Sequence, residues 1–259
     1  MRTQIKYPVG IQYFPDVIEG GYAYADKTRY IKELVDKGKY YFLSRPRRFG
    51  KSLFLTTLEA FFEGRRELFR GLAIDRYDLD WQPRPVIKLS LNNIDCKSEE
   101  SLETALGSKL RDYEEKYNIP VCGDGIPQRF EKILRTAHEK TGHKAAVLID
   151  EYDAPLLTTL ENEGMNDAFR DVLRPLFSVL KTADSHIHFA FVTGVSRFSH
   201  TSLFSGANNL TDISLLDEYA AICGISECEL KDTFKRGINS FATHLGISEE
   251  ETLARLKEN

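Results

Sequence analysis

Tyr40-Tyr41-Phe42-Leu43-Ser44-Arg45-Pro46-Arg47-Arg48-Phe49-Gly50-Lys51-Ser52-Leu53-Phe54 is the stretch that decides how this chain is read. Tyr40 to Leu43 is a short apolar run with the character of a buried strand. A turn punctuated by Pro46 and Gly50 follows, and Gly50-Lys51-Ser52 opens a helix that carries Phe54, Leu58, Phe61 and Phe62 on one face. Strand, turn and helix in this order form the setting of a phosphate-binding loop. Backbone N–H groups at a helix N-terminus are unpaired, the helix dipole adds partial positive charge, and a glycine lets the chain pass close under a phosphate. Lys51 is then the candidate for the terminal phosphates, and the Ser52 hydroxyl the candidate ligand for magnesium.

One position departs from the G-x-x-x-x-G-K-[ST] pattern, because its first glycine falls on Arg45. A glycine there supplies an unusual backbone angle, so this loop must turn differently, with Pro46 as the candidate for fixing the bend. Arg45, Arg47 and Arg48 crowd the turn and add anion-attracting charge. Two readings stand at this point: a phosphate cradle, or an ordinary helix start beside a solvated basic loop.

The 259 residues suit one large α/β domain or two small ones and can bury a sizeable core. A formal net charge of −4 argues against a protein that coats nucleic acid, although a local basic patch is compatible with it. Cys96, Cys122, Cys223 and Cys228 form no C-x-x-C pair and read as reduced thiols of a cytoplasmic protein. The first ten residues lack the apolar core of a signal peptide. No run approaches the roughly 18 apolar residues that cross a bilayer, so no membrane partner is expected.

Taken in order, Tyr22-Ala23-Tyr24 reads as a short strand, Asp26 as an N-cap, and Tyr30, Ile31, Leu34 and Val35 as the face of a helix ended by Gly38. Tyr13, Phe14 and Tyr24 are either contacts for a base or ordinary core aromatics. A strand is expected from Val86 to Leu91. Leu102, Leu106, Leu110, Tyr113 and Tyr117 then stripe one helix, and Phe130, Ile133, Leu134 and Ala137 stripe another.

Ala145 to Ile149 is the next strand, ending in Asp150-Glu151-Tyr152-Asp153. Asp150 is placed to hold magnesium through water and Glu151 to deprotonate an attacking water; the plain alternative is acidic residues complementing a helix dipole. About a hundred residues separate Ser52 from Asp150, room for an interposed strand, and the two motifs together argue for nucleotide binding.

After a helix bearing Phe169, Val172, Leu173, Leu176, Phe177 and Leu180, the strand Ile187 to Val192 delivers Thr193-Gly194-Val195-Ser196-Arg197 to the same rim. Thr193 or Ser196 is the candidate sensor of a terminal phosphate, against a hydroxyl that merely satisfies its own turn. Arg197 is the candidate charge-stabilising group, against a surface ion pair. Ile213 to Leu215 reads as a last strand. Leu230, Phe234, Ile238, Phe241 and Leu245 then stripe one helix and Leu253 and Leu256 another, opened by Ser226-x-x-Glu229 and Ser248-x-x-Glu251 capping boxes. His186 and His188 share a strand face but lack the further ligands of a metal site. The chain stops at Lys257-Glu258-Asn259 without a closing element and reads as part of something longer.

Four ordered motifs, Tyr24-Ala25-Asp26-Lys27-Thr28, Ser44 to Ser52 (SRPRRFGKS), Leu148-Ile149-Asp150-Glu151-Tyr152-Asp153 and Phe204-Ser205-Gly206-Ala207-Asn208-Asn209-Leu210, make the chain resemble the bacterial AAA-ATPase-like family over nearly its whole length. Arg45 in place of glycine is a trait of that family's loop. The resemblance implies an α/β P-loop NTPase fold: a mostly parallel sheet with an additional strand between the Walker A and Walker B strands, helices on both faces, and a helical C-terminal part. The expected division is a P-loop domain over 1–215 and a helical subdomain over 216–259.

It also implies ATP and Mg2+ as cofactors, with Arg45, Pro46, Arg47, Arg48, Phe49, Gly50, Lys51, Ser52 and Leu53 around the nucleotide. Ser52 and Asp150 would serve the metal, Glu151 would be the catalytic base, and Lys51, Thr193 and Arg197 would be further catalytic candidates. Many members carry a restriction-endonuclease-like domain after the ATPase part, so such a domain, or nucleic acid through it, is an implied partner. The function expected is ATP hydrolysis with magnesium; the alternative is a regulatory nucleotide-binding module that hydrolyses little. A small-molecule kinase is a third reading, disfavoured because no helical insert after the strand ending in Asp150-Glu151 shows an arginine-rich lid.

Overall fold

The computed structural model describes residues 6–92, 94, 97–121, 123–197, 203–204 and 209–258. Five strands, β1 (Tyr40–Ser44), β2 (Val86–Ser90), β3 (Ala145–Asp150), β4 (Ile187–Gly194) and β5 (Thr211–Asp212), form one sheet in the order β2-β3-β4-β1-β5. Every pairing is parallel. A parallel sheet is covered on both faces, which is why β1 and β3 are continuous apolar runs buried at every position.

The two faces can be read residue by residue, since successive strand side chains point opposite ways. Tyr40, Phe42, Ala145, Val147, Ile149, Ala190 and Val192 enter one core with helices α4 (Glu99–Lys116), α5 (Ile126–Thr141) and α7 (Glu163–Thr182). Tyr41, Leu43, Ala146, Leu148, Phe189 and Phe191 enter the other with α1 (Phe14–Glu19), α2 (Arg29–Lys37) and α3 (Lys51–Phe62). Helices thus lie on both faces, and a short α6 (Ala154–Leu157) follows β3. Because all strands run the same way, the ends of β1, β3 and β4 emerge together at one rim, with Ser44 paired to Gly194 and β4 lying between β1 and β3.

Four local expectations need correction. Among the described residues Tyr22 makes a single bridge to Lys6 and starts no strand. Asp26 is not the N-cap of α2, which is Thr28; the Asp26 carboxylate accepts from the Thr28 amide and hydroxyl, and from the Ala73 amide. The last strand lies two residues earlier than expected: Ser214 N–H turns back to Asp212 Oδ1 and leaves Leu215 75% exposed. The helix expected through Leu230 to Leu245 is two helices, Glu227–Thr233 and Lys235–Leu245, parted at Phe234, with a third at Glu249–Glu258. Ser226 and Glu229 do form a reciprocal capping box. Ile213, Tyr219, Ile222 and Cys223 pack into the same core as α3, so the segment after β5 lies against the body of the sheet.

Candidate functional site

The loop between β1 and α3 turns through two left-handed residues, Arg48 at φ +63° and Gly50 at φ +88°. Gly50 reaches this angle without steric cost and starts the helix, its carbonyl accepting from Phe54 N–H at 3.0 Å. Lys51, the first residue of α3, is only 4% exposed. Its ammonium donates to the Arg45 and Pro46 carbonyls, 2.9 Å each. Burial pulls the Lys51 pKa below the ordinary lysine value, against the opposing pull of Glu151 and Asp150.

Arg45 does not face this loop. Its guanidinium turns back and donates to the carbonyls of Ser44 (3.0 Å), Ser214 (2.5 Å) and Tyr219 (3.2 Å), while its N–H donates to Gly194 O. The residue expected at the nucleotide therefore ties the loop's first turn to the segment after β5. Arg47, Arg48, Phe49, Gly50, Lys51, Ser52 and Leu53 do line the cleft over the loop. Phe49 also joins loop and C-terminal segment, its carbonyl accepting from Gly224 N–H at 2.8 Å.

The acidic strand end meets the loop directly. Asp150 is 8% exposed, and each of its oxygens accepts a hydroxyl: Ser52 Oγ donates at 2.6 Å and Thr193 Oγ1 at 2.5 Å. Thr193 Oγ1 accepts in turn from Glu151 N–H at 3.3 Å. Three chain segments, from β1–α3, β3 and β4, are thereby tied to one carboxylate. Glu151 follows at φ +51°, an unusual angle for a residue with a side chain, and lines the same cleft. Burial pushes its pKa above the ordinary glutamate value. The charge of Asp150 adds to the push, while Lys51 and Arg47 oppose it.

Asp153, fully buried, accepts from the N–H groups of Val195 and Ser196 and so holds the turn after β4. Burial raises its pKa and those amides pull it down. Gly194 is required where this turn begins, since a Cβ would sit 2.3 Å from the Tyr152 ring. Asp153 and Arg45 are residues that motif reading missed in these structural roles; their partners lie far away in sequence.

The remaining candidates fall elsewhere. Arg197 donates to Asp212 Oδ2 at 2.7 Å. Phe14 is a core residue, Tyr13 is partly exposed, and Tyr24 packs edge-on to Phe14 beside the loop. His186 Nδ1 lies 3.0 Å from His138 Nδ1, and His188 packs edge-on to Phe62. Among the described residues no three His, Cys, Asp or Glu residues are grouped to hold a metal. Cys223 and Cys228 are free, the former buried. Cys96, Cys122 and Ser205 to Asn208 of the fourth motif lie outside the described residues. Among the described residues no helix is long and apolar enough to cross a membrane.

The cleft over the loop has a volume of about 900 Å3 and is lined by Lys51, Ser52 and Glu151 and by the segment from Pro8 to Gln12. A family model described as "Predicted AAA-ATPase" matches residues 8–204. The chain is 44% identical over 232 residues to an "Uncharacterized protein in vnfD 5'region" of Azotobacter chroococcum mcd 1; the match covers 88% of this chain and 45% of that protein. The chain thus spans less than half the length of that relative. No solved structure matches it.

Proposed function

The chain belongs to the AAA-ATPase-like family, and from that premise we propose that it is a P-loop NTPase that binds ATP and hydrolyses it with magnesium. The observation that carries the proposal is the contact between Ser52 and Asp150, 98 positions apart and joined at 2.6 Å beside the N-terminus of α3. Glu151 and Lys51 line the same cleft. On this reading β1 and β3 are the two Walker strands and β4 the additional strand between them.

Magnesium takes oxygen ligands and keeps several waters, and a hydroxyl and a carboxylate side by side are two such oxygens. When bound, the ion would neutralise charge developing on the phosphate oxygens. The chain's own groups do the rest. The amides opening α3 and the helix dipole attract the phosphates. Lys51 exchanges the Arg45 and Pro46 carbonyls for phosphate oxygens, Glu151 takes the proton of the attacking water, and Thr193 positions Asp150 and the Glu151 amide.

The alternative, a nucleotide-binding regulatory module with little hydrolysis that controls a tethered nuclease or other partner, draws on one observation. Arg197 pairs with Asp212 at 2.7 Å and does not line the cleft over the loop. The division into 1–215 and 216–259, and a location in the cytoplasm, belong to the same proposal.

Calorimetry with magnesium and ATP, together with phosphate release, tests it. Lys51→Ala should weaken ATP binding by about 1.5–3 kcal/mol, the worth of a charge-assisted contact. Glu151→Gln should keep binding and abolish turnover. Unchanged turnover in Glu151→Gln would remove hydrolysis by this site, and equal affinity in Lys51→Ala would remove the phosphate loop.

A further inference from the structure

Four of the six histidines, His138, His143, His186 and His188, belong to the segments that lead into or begin β3 and β4, at the edge of the sheet away from the β1–α3 loop. His138 lies in the last turn of α5, and His186 closes the single turn Asp184–His186 that leads into β4. Their Nδ1 atoms face each other at 3.0 Å, with the ring planes 67° apart. Both backbones are anchored in the core. Ala137 beside His138, and Ala183 and Ile187 on either side of the His186 turn, are fully or almost fully buried, and His186 N–H donates to Ala183 O at 2.9 Å.

We propose that His138 and His186 bind one divalent transition-metal ion, copper(II) or nickel(II), through both Nδ1 atoms. Two nitrogens 3.0 Å apart, each at an imidazole–metal length of about 2.0–2.1 Å, subtend about 95° at the ion. That is the angle between neighbouring ligands of a square or octahedral ion, well short of the roughly 109° of a tetrahedral one. Imidazole suits copper and nickel, whereas magnesium prefers oxygen. In the pair as it stands one ring donates its proton to the other; when that proton moves to the donor ring's Nε2, both Nδ1 lone pairs face the ion.

The surroundings set the character of the site. The Asp184 carboxylate is taken by the Lys39 ammonium at 2.5 Å and the Tyr40 hydroxyl at 2.7 Å, so the protein supplies two nitrogens and water fills the other positions. Burial, together with the charges of His186, Lys144 and His143, holds the His138 pKa below the ordinary histidine value, against the pull of Glu139. The ring is therefore in its uncharged, ligating form at neutral pH. Lys144 also repels the ion, which makes this an open two-ligand site and not a closed structural one. Seven residues of extended chain separate His186 from Thr193, roughly 23 Å. The pair is thus remote from Ser52 and Asp150, and the proposal stands independently of the nucleotide reading. A bound ion would pin the end of α5 to the start of β4.

The test titrates the full chain, carrying no histidine tag and no nucleotide, with nickel(II) or copper(II) chloride in a calorimeter. The native protein should bind the metal. His138→Gln and His186→Gln should each weaken it at least tenfold, and His188→Gln should stay within twofold of native. A tenfold excess of magnesium should displace nothing. Electron paramagnetic resonance of the native protein with one equivalent of copper(II) needs no variant, and its spectrum should carry the splitting of two imidazole nitrogens. No binding by the native protein, unchanged affinity in His138→Gln or in His186→Gln, an equal loss in His188→Gln, displacement by magnesium, or a copper spectrum without nitrogen splitting would each overturn the site and leave the two rings an ordinary hydrogen-bonded pair.

Discussion

Thr193→Val replaces a hydroxyl by a methyl of nearly the same shape at a fully buried position, so no cavity opens and the change isolates two hydrogen bonds. The Asp150 carboxylate loses a donor at 2.5 Å, and the Glu151 amide loses its acceptor at 3.3 Å. A hydrogen bond to a charged group contributes about 1.5–3 kcal/mol, and a buried amide left unpaired costs about 1–3 kcal/mol. The second figure is discounted because 3.3 Å is a long bond and Glu151 is only partly buried. The sum is about 2–4 kcal/mol of stability. At about 2–4 °C per kcal/mol for a domain near this size, the melting temperature should fall by roughly 5–15 °C. Differential scanning calorimetry of native protein, Thr193→Val and Thr193→Ser measures it. Serine keeps the hydroxyl and should recover most of the Thr193→Val loss, short of the deleted methyl. A valine variant melting within a degree or two of the native protein would refute the idea that this hydroxyl holds β3 and β4 to one carboxylate.

Two further outcomes follow from the same geometry. Glu151 has a folded pKa above its unfolded value, so the folded chain binds its proton more readily, and stability falls as pH rises from the ordinary glutamate range through the raised value. Glu151→Gln should therefore melt higher than the native protein at neutral pH, with the gain vanishing as pH drops below about 4.3; a constant difference from pH 4 to 8 would contradict this. Arg45→Met keeps length but removes the donors to Ser214 O and Tyr219 O. It should cost about 2–4 kcal/mol in urea unfolding and speed proteolysis of the 214–226 segment; unchanged cleavage there would mean that the arginine does not hold that segment.

The two-faced sheet was legible because Tyr40 to Leu43 of β1 and Ala145 to Ile149 of β3 are written as uninterrupted apolar runs, and α3 because its start carries Gly50-Lys51-Ser52 and its face carries phenylalanines. The convergence of Ser52, Asp150, Glu151 and Thr193 could be anticipated from where their strands end. Arg45 could not, since its acceptors are backbone carbonyls some 170 positions away, which no side-chain pattern announces. Lys27 is similar, its partner Glu229 lying 202 positions on. Tyr22 to Tyr24 has strand composition, but among the described residues it pairs through one bridge alone. The apolar stripe through Phe234 continues across a break that periodicity is blind to. Tertiary pairing overrides local preference in each case.

The left-handed backbone of Glu151 sets two demands on one residue against each other. Glycine adopts that angle freely and asparagine with little strain, whereas other L-residues lose roughly 1–2 kcal/mol. A glutamate at this point adds a partly buried charge next to Asp150 to that backbone penalty. A laboratory selection that rewards heat resistance and ignores turnover should therefore accept glycine or asparagine at 151 among its early replacements. Lineages carrying that exchange would be sturdy proteins without the carboxylate, and a selection that also demands turnover should retain the glutamate.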